Sequence, residues 1–278
     1  MTAPFGARLR AALDARGPLC VGVDPHGSLL TAWGLGDDVA GLDRFSGTVV
    51  EALADRVAVL KPQSAFFERF GSRGVAVLER TIADARSAGA IVILDGKRGD
   101  IGSTVEAYAQ AYLDPASPLF SDALTASPYL GFGSLEPLYA TAERNGTGVF
   151  VLSFTSNPEG ASVQRARTPD GSTVGGAILA AAAARNARVR PLGSIGAVVG
   201  ATLDDIPFDL ARLNGPLLAP GLGAQGATPD DLRKVFGDAL RNVVPSMSRE
   251  VLRHGPDTAA LRAAAASAVD ACRTALGS

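Results

Sequence analysis

The chain has few of the residues that build cross-links and metal sites. Its 278 residues include only two cysteines and two histidines. Cys20 and Cys272 stand too far apart for a disulfide framework or a zinc site. His26 and His254 lack the spacing of a metal pair or a catalytic triad, and neither is given a role. An excess of one charge is missing too. The formal net charge is −2, so neither nucleic acid nor an anionic membrane surface is expected as a partner. An anionic ligand must then be gripped by a local arrangement of charge. No uncharged run of about twenty apolar residues occurs, so no spanning helix is expected. Residues 1–8 carry no apolar stretch of the secretory-signal kind. The expectation is a soluble, cytoplasmic protein.

What is present is an ordinary globular balance, 47% hydrophobic and 19% charged, which argues against disorder. Short apolar runs alternate with segments of helical spacing. Strands are predicted at 19–24, 57–61, 90–95, 122–126, 148–153, 195–199, 216–219 and 241–244. Helices are predicted at 42–56, 75–88, 104–112, 135–144, 173–188, 203–213, 229–236 and 257–276. Ser103 and Glu106 have capping-box spacing, which places a helix start just after Asp100. Alternation without a linker predicts an α/β protein with a (β/α)8 (TIM) barrel as one domain over 1–278. An open doubly wound sheet is the structural alternative. Residues 154–172, with Arg165 and Arg167, form the longest stretch without a periodic pattern. They are expected to be a long loop, either a lid or a solvated surface excursion.

Charge collects where the predicted strands end. Ile91-Val92-Ile93-Leu94 runs into Asp95-Gly96-Lys97-Arg98-Gly99-Asp100-Ile101. Residues two apart share one side of an extended strand, so Asp95 and Lys97 are expected to project together. The first two strands finish at Asp24 and Lys61. A capping Asp or a snorkelling Lys explains one such ending, but three in succession at the C-terminal mouth of a barrel suggest a site. The seventh strand leads into Pro220-Gly221-Leu222-Gly223-Ala224-Gln225-Gly226, and the eighth into Ser246-Met247-Ser248-Arg249. Small residues let backbone N–H groups converge on an anion, and a guanidinium after the next strand can grip phosphate. A glycine-rich turn alone is more often only a turn. Trp33 and Phe66-Phe67 are read as packing residues.

These segments together resemble the orotidine 5′-phosphate decarboxylase family, specifically its longer branch. The resemblance runs from Asp24 to Arg249 and centres on Asp95-x-Lys97-x-x-Asp100-Ile101. The segments 61–68 and 127–131, and the long 154–172 connection, also suit that branch. The resemblance implies a homodimer with shared active sites that converts orotidine 5′-phosphate to UMP in pyrimidine biosynthesis, using neither metal nor organic cofactor. It implies that Asp24 and Lys61 hydrogen-bond the ribose, and that Gln63 makes a further ribose contact. Asp95 would lie beside the substrate carboxylate, and Lys97 would protonate C6. Asp100, Ile101 and Thr104 would enter from the other subunit. Ser127 would bond the pyrimidine edge, and Gln225 with Arg249 would hold the phosphate. Pro220 belongs to the matching phosphate segment, and Ser248 stands where many relatives carry glycine. Two alternatives remain: a metal-dependent sugar-phosphate decarboxylase or aldolase, and a nucleotide-binding relative without catalysis. The first needs an acidic ligand near the end of the second strand, where this chain has Lys61.

Overall fold

Each predicted apolar run overlaps a strand in the computed structural model, which describes residues 3–203, 205–223, 226, 228 and 230–277. The strands are β1 (Cys20–Val23), β2 (Val59–Pro62), β3 (Ile91–Arg98), β4 (Ala123–Ala126), β5 (Gly148–Phe154), β6 (Ile195–Val199), β7 (Leu217–Pro220) and β8 (Val243–Met247). All neighbours pair in parallel. β1 also pairs with β8, Cys20 opposite Ser246, so the sheet closes into a barrel. That closure excludes the open doubly wound alternative.

The alternation of side chains sorts each strand into two faces. Cys20, Val59, Ile91, Ile93, Ala123, Phe150, Val198, Leu218 and Val244 belong to one buried cluster, to which every strand contributes. Val21, Leu60, Val92, Leu94, Leu124 and Val149 belong to a second cluster, shared with the surrounding helices. Strands buried on both faces read as continuous apolar runs, which is why they were legible.

A helix that the sequence reading missed, Phe5–Arg16, closes the end where the strands begin. Its Phe5, Leu9, Ala12 and Leu13 join the inner cluster. Phe5 meets Phe150 edge to face, with ring centroids 5.9 Å apart. Gly148 makes room for this contact, because a Cβ there would stand 2.2 Å from Phe5 Cδ1.

Several expectations need correction. The helix predicted over 203–213 is only a 3-10 turn, Leu210–Leu213; Pro207 removes a backbone donor and disfavours helix before it. Capping by Ser103 does not occur. The helix there, Gly102–Leu113, has Ile101 as N-cap with no side-chain cap bond, so Ser103 lies inside the first turn. Residues 154–172 are partly ordered into a 3-10 turn, Pro158–Gly160, and a helical turn, Ala161–Gln164. Arg165 donates to the Asp205 carbonyl at 2.5 Å and Arg167 to that of Gly171 at 2.5 Å, so both arginines bond within the protein. Among the described residues no helix is long and apolar enough to cross a membrane.

Candidate active site

A cavity of about 710 Å³ opens at the C-terminal ends of the strands. Asp24, Lys61, Gln63, Asp95, Lys97, Pro220, Ser248 and Arg249 all line it, so most of the predicted constellation is brought together.

The strand period alone does not make Asp95 and Lys97 meet. Leu94 pairs with Leu124, but the next pair is Arg98 with Ala126, so Asp95, Gly96 and Lys97 all face the single residue Thr125. This bulge holds Lys97 at φ +46°, a left-handed conformation that costs a non-glycine residue about 1–2 kcal/mol. The nearby turn is tight as well: a Cβ on Gly99 would stand 2.3 Å from the Ser127 carbonyl oxygen.

The Asp95 carboxylate sits at the centre, only 7% exposed. Its Oδ2 accepts from Lys61 Nζ at 2.8 Å and from Gln63 Nε2 at 3.1 Å. Its Oδ1 accepts from Lys97 Nζ at 2.6 Å and from Thr125 Oγ1 at 2.9 Å. Burial works against ionisation of Asp95, but Lys61 and Lys97 outweigh it and hold the carboxyl well below its usual range. Burial likewise opposes the Lys61 ammonium, and Asp95 with Asp24 overcomes it, holding the amine well above its ordinary value. Asp95 and Lys61 are therefore fixed as a carboxylate and an ammonium.

Asp24 accepts from Ser248 Oγ at 2.6 Å through Oδ2, while its buried Oδ1 has no hydrogen-bond partner. An orphaned acceptor on a cavity wall suits a ligand hydroxyl. Arg249 is exposed at the rim beside Pro220, Gly221 and Leu222. Gly221 and Gly223 take positive φ, +110° and +76°, as the tight turn requires. Gln225 lies outside the described residues.

Asp100, Ile101, Thr104 and Ser127 do not line this cavity. Ile101 is 62% exposed, and Tyr129 and Leu130 are 79% and 53% exposed. Ser127 donates its backbone N–H to the Arg98 carbonyl at 2.8 Å. The polar groups that line the cavity past β5 are instead Thr155, Ser156 and Asn157. Gln164 braces them, accepting from Thr155 N–H at 2.8 Å and donating to Thr155 Oγ1 at 2.8 Å. Sequence reasoning missed these residues because they open the segment without periodicity. It also missed Thr125, which ends no apolar run.

His26 and Phe66 also line the cavity, their ring centroids 4.2 Å apart. Burial, with Arg249 and Arg69 nearby, lowers the His26 pKa against the pull of Asp24. Phe66 is thus a wall of the site as well as a packing residue. Trp33 does pack, against Phe45 at 4.3 Å, and its indole N–H donates to the Leu252 carbonyl. No group of three or more His, Cys, Asp or Glu among the described residues could hold a metal ion.

Comparison with known proteins places this geometry. The family described as "Orotidine 5′-phosphate decarboxylase / HUMPS" matches residues 17–264. The orotidine 5′-phosphate decarboxylase of Streptomyces coelicolor is 70% identical over 263 residues, covering 94% of each chain. The chain belongs to the orotidine 5′-phosphate decarboxylase family. Another relative of that name, from Salinispora tropica, is 65% identical over 272 residues and 98% of each chain. A crystal structure from Streptomyces avermitilis assigned the same activity superposes with a TM-score of 0.97 at 65% identity, over 100% of this chain and 97% of that one. The Leishmania donovani OMP decarboxylase structure superposes at 0.75 with 30% identity, over 99% of this chain and 100% of that one. The barrel of this family thus matches the fold over nearly the whole chain.

Proposed function

We propose that this protein decarboxylates orotidine 5′-phosphate to UMP, the closing step of pyrimidine nucleotide synthesis. The observation that carries the reading is Asp95, a buried carboxylate held by four donors, two of them ammonium groups, at the mouth of the barrel. Removing CO2 leaves a carbanion at C6 of a pyrimidine with no adjacent electron sink. Enzymes lower barriers by roughly 8–23 kcal/mol, and so difficult a reaction calls for the upper end. A fixed array of charge supplies such stabilisation without reorganising during the reaction.

In this reading Asp24, Lys61 and Gln63 take the ribose hydroxyls, and the orphaned Oδ1 of Asp24 gains its partner there. Asp95 lies beside the departing carboxylate. Lys97, on the exposed side of Asp95, faces C6 and delivers the proton once CO2 has gone. At 4 Å and an effective dielectric near 20, unit charges interact by about 4 kcal/mol, so small displacements of Lys97 change the barrier strongly. Arg249, Gln225, Pro220 and the Ser248 backbone bind the phosphate. Its distance from the breaking bond lets binding energy order the site and exclude water. Ser127 bonds the pyrimidine edge in this reading, and Thr155 and Ser156 supply further polar groups on the cavity wall.

The protein works as a homodimer in this reading. Asp100, Ile101 and Thr104 lie outside their own cavity, and Ile101, Tyr129 and Leu130 are large apolar side chains left exposed. They would complete the site of a second copy, with Asp100 adding the fourth charge to Lys61, Asp95 and Lys97. Residues 1–278 act as one barrel domain, and a phosphorylated nucleotide substrate suits a cytoplasmic enzyme. Loss of the orotate absorbance from orotidine 5′-phosphate tests the activity. A folded, dimeric sample that leaves the absorbance unchanged overturns it.

A further inference from the structure

We infer that Thr125 is a positioning residue that sets the angle at which the Lys97 ammonium is presented, by tying the Lys97 backbone to the Asp95 carboxylate through one hydroxyl. The inference rests on the function proposed above and assigns a task to a side chain that does not belong to the charged array.

Thr125 is the single β4 residue opposite the three-residue bulge of β3, flanked by the pairs Leu94–Leu124 and Arg98–Ala126. A bulge disrupts the local ladder, and Lys97 N–H is satisfied by a side chain: it donates to Thr125 Oγ1 at 3.0 Å. The same oxygen donates its one proton to Asp95 Oδ1 at 2.9 Å. A hydroxyl can do both at once, because it carries one donor and two acceptor lone pairs. Valine matches its shape and can do neither.

The two bonds act on different parts of the site. The bond from Lys97 N–H holds the left-handed backbone from which the lysine side chain departs. The bond to Oδ1 fixes the rotation of the carboxylate plane, since Oδ2 is already held by Lys61 and Gln63. Lys97 Nζ then has one place to go, the remaining side of Oδ1 at 2.6 Å. Thr125 is itself 1% exposed and is locked in the β4 ladder opposite Phe150 of β5. A rigid element therefore carries the geometry outward to the mobile end of a lysine.

Thr125→Val and Thr125→Ser test this, measured as kcat and KM for orotidine 5′-phosphate beside the wild type. Misplacing a reacting group by about an ångström costs on the order of 100-fold, so the valine variant is expected to lose about 10–100-fold in kcat. Its KM should stay within about threefold, because the groups that hold ribose and phosphate are untouched. Serine keeps the hydroxyl and should recover kcat to within about threefold of the wild type. If the valine variant does not fold, Thr125→Ala is measured in its place with the same expectation. A valine or alanine variant with kcat within about twofold of wild type overturns the inference, as does a serine variant no better than valine. A wild type without turnover overturns the parent reading instead. An active wild type with an unimpaired valine variant overturns this inference alone.

Discussion

At the end where the strands begin, helix Phe5–Arg16 fills the barrel with Phe5, Leu9 and Leu13 against an apolar floor. At the end where they finish, the same strands present Asp24, Lys61 and Asp95 to a cavity. The boundary is only two residues deep. Val59 and Ile93 belong to the apolar cluster, and the next inward positions are Lys61 and Asp95. At about 3.3 Å per residue, hydrocarbon gives way to opposed charge within about 7 Å. The Cys20 thiol marks the dry side: burial pushes its pKa up to about 12. One end is packed as an interior is packed, with a ring contact and a glycine shaped to it. The other carries a left-handed lysine, an orphaned carboxylate oxygen and a ladder interrupted by a bulge. Stability and chemistry are divided between the two ends, as expected where a site needs geometry that a relaxed fold does not favour.

Lys97→Ala puts the sharpest strain on that division. It removes the proposed proton donor and one of the two ammonium groups on Asp95, so kcat should fall by at least about 10²–10⁴-fold. Arg249, the proposed phosphate ligand, is untouched, and UMP affinity measured by calorimetry should change far less. Ordinary turnover by this variant would end the role given to Lys97. A related experiment asks whether the charged end is complete within one chain. Lys97→Ala and Asp100→Asn, each inactive alone, should regain activity when subunits exchange, because a hybrid dimer holds one site with neither change. Random mixing in equal amounts leaves about a quarter of the sites intact. No recovery after exchange confirmed by mass would mean that each site is built from a single chain.

The closed end should answer in the opposite currency. Phe5 is fully buried, and truncating a buried phenylalanine costs about 3–5 kcal/mol. Phe5→Ala should therefore lower the thermal midpoint by many degrees while kcat and KM of the folded fraction stay near wild type. A large change in KM with an unchanged midpoint would show that the two ends are coupled through the barrel.

How far each end was legible follows from the same physics. The strands were readable because parallel strands buried on both faces leave continuous apolar runs, and 195–199 agrees with β6 residue for residue. The charges that end them, Asp24, Lys61 and Asp95, were readable as interruptions of those runs. Helix Phe5–Arg16 was missed although Phe5, Leu9 and Leu13 recur every four residues, because a short amphipathic segment before the first strand has no place in a repeating strand–helix count. The pairing of Asp95 with Lys97 was anticipated from period-two spacing but is made by a bulge, and nothing in local sequence announces that Thr125 must face three residues. The polar groups Thr155, Ser156 and Asn157 and the ring of Phe66 reach the cavity only through tertiary packing.

The smallest effect isolates the strain at the charged end. Lys97→Gly and Lys97→Ala both lack the ammonium, so neither makes the contact to Asp95 Oδ1 and both should be inactive. They differ in what φ +46° costs them. Alanine pays the left-handed penalty of about 1–2 kcal/mol, whereas glycine does not. Glycine gives back part of that difference because its unfolded chain is more flexible, by about 0.4–1 kcal/mol. The glycine variant should therefore be more stable than the alanine variant by about 1 kcal/mol or slightly less in denaturant unfolding. This reverses the order found in ordinary helix or strand positions, where alanine is the more stable. Equal midpoints, or alanine ahead, would mean that the bulge relaxes once the lysine is gone, and that its left-handed turn is imposed by the Lys97–Asp95 contact and not by the backbone.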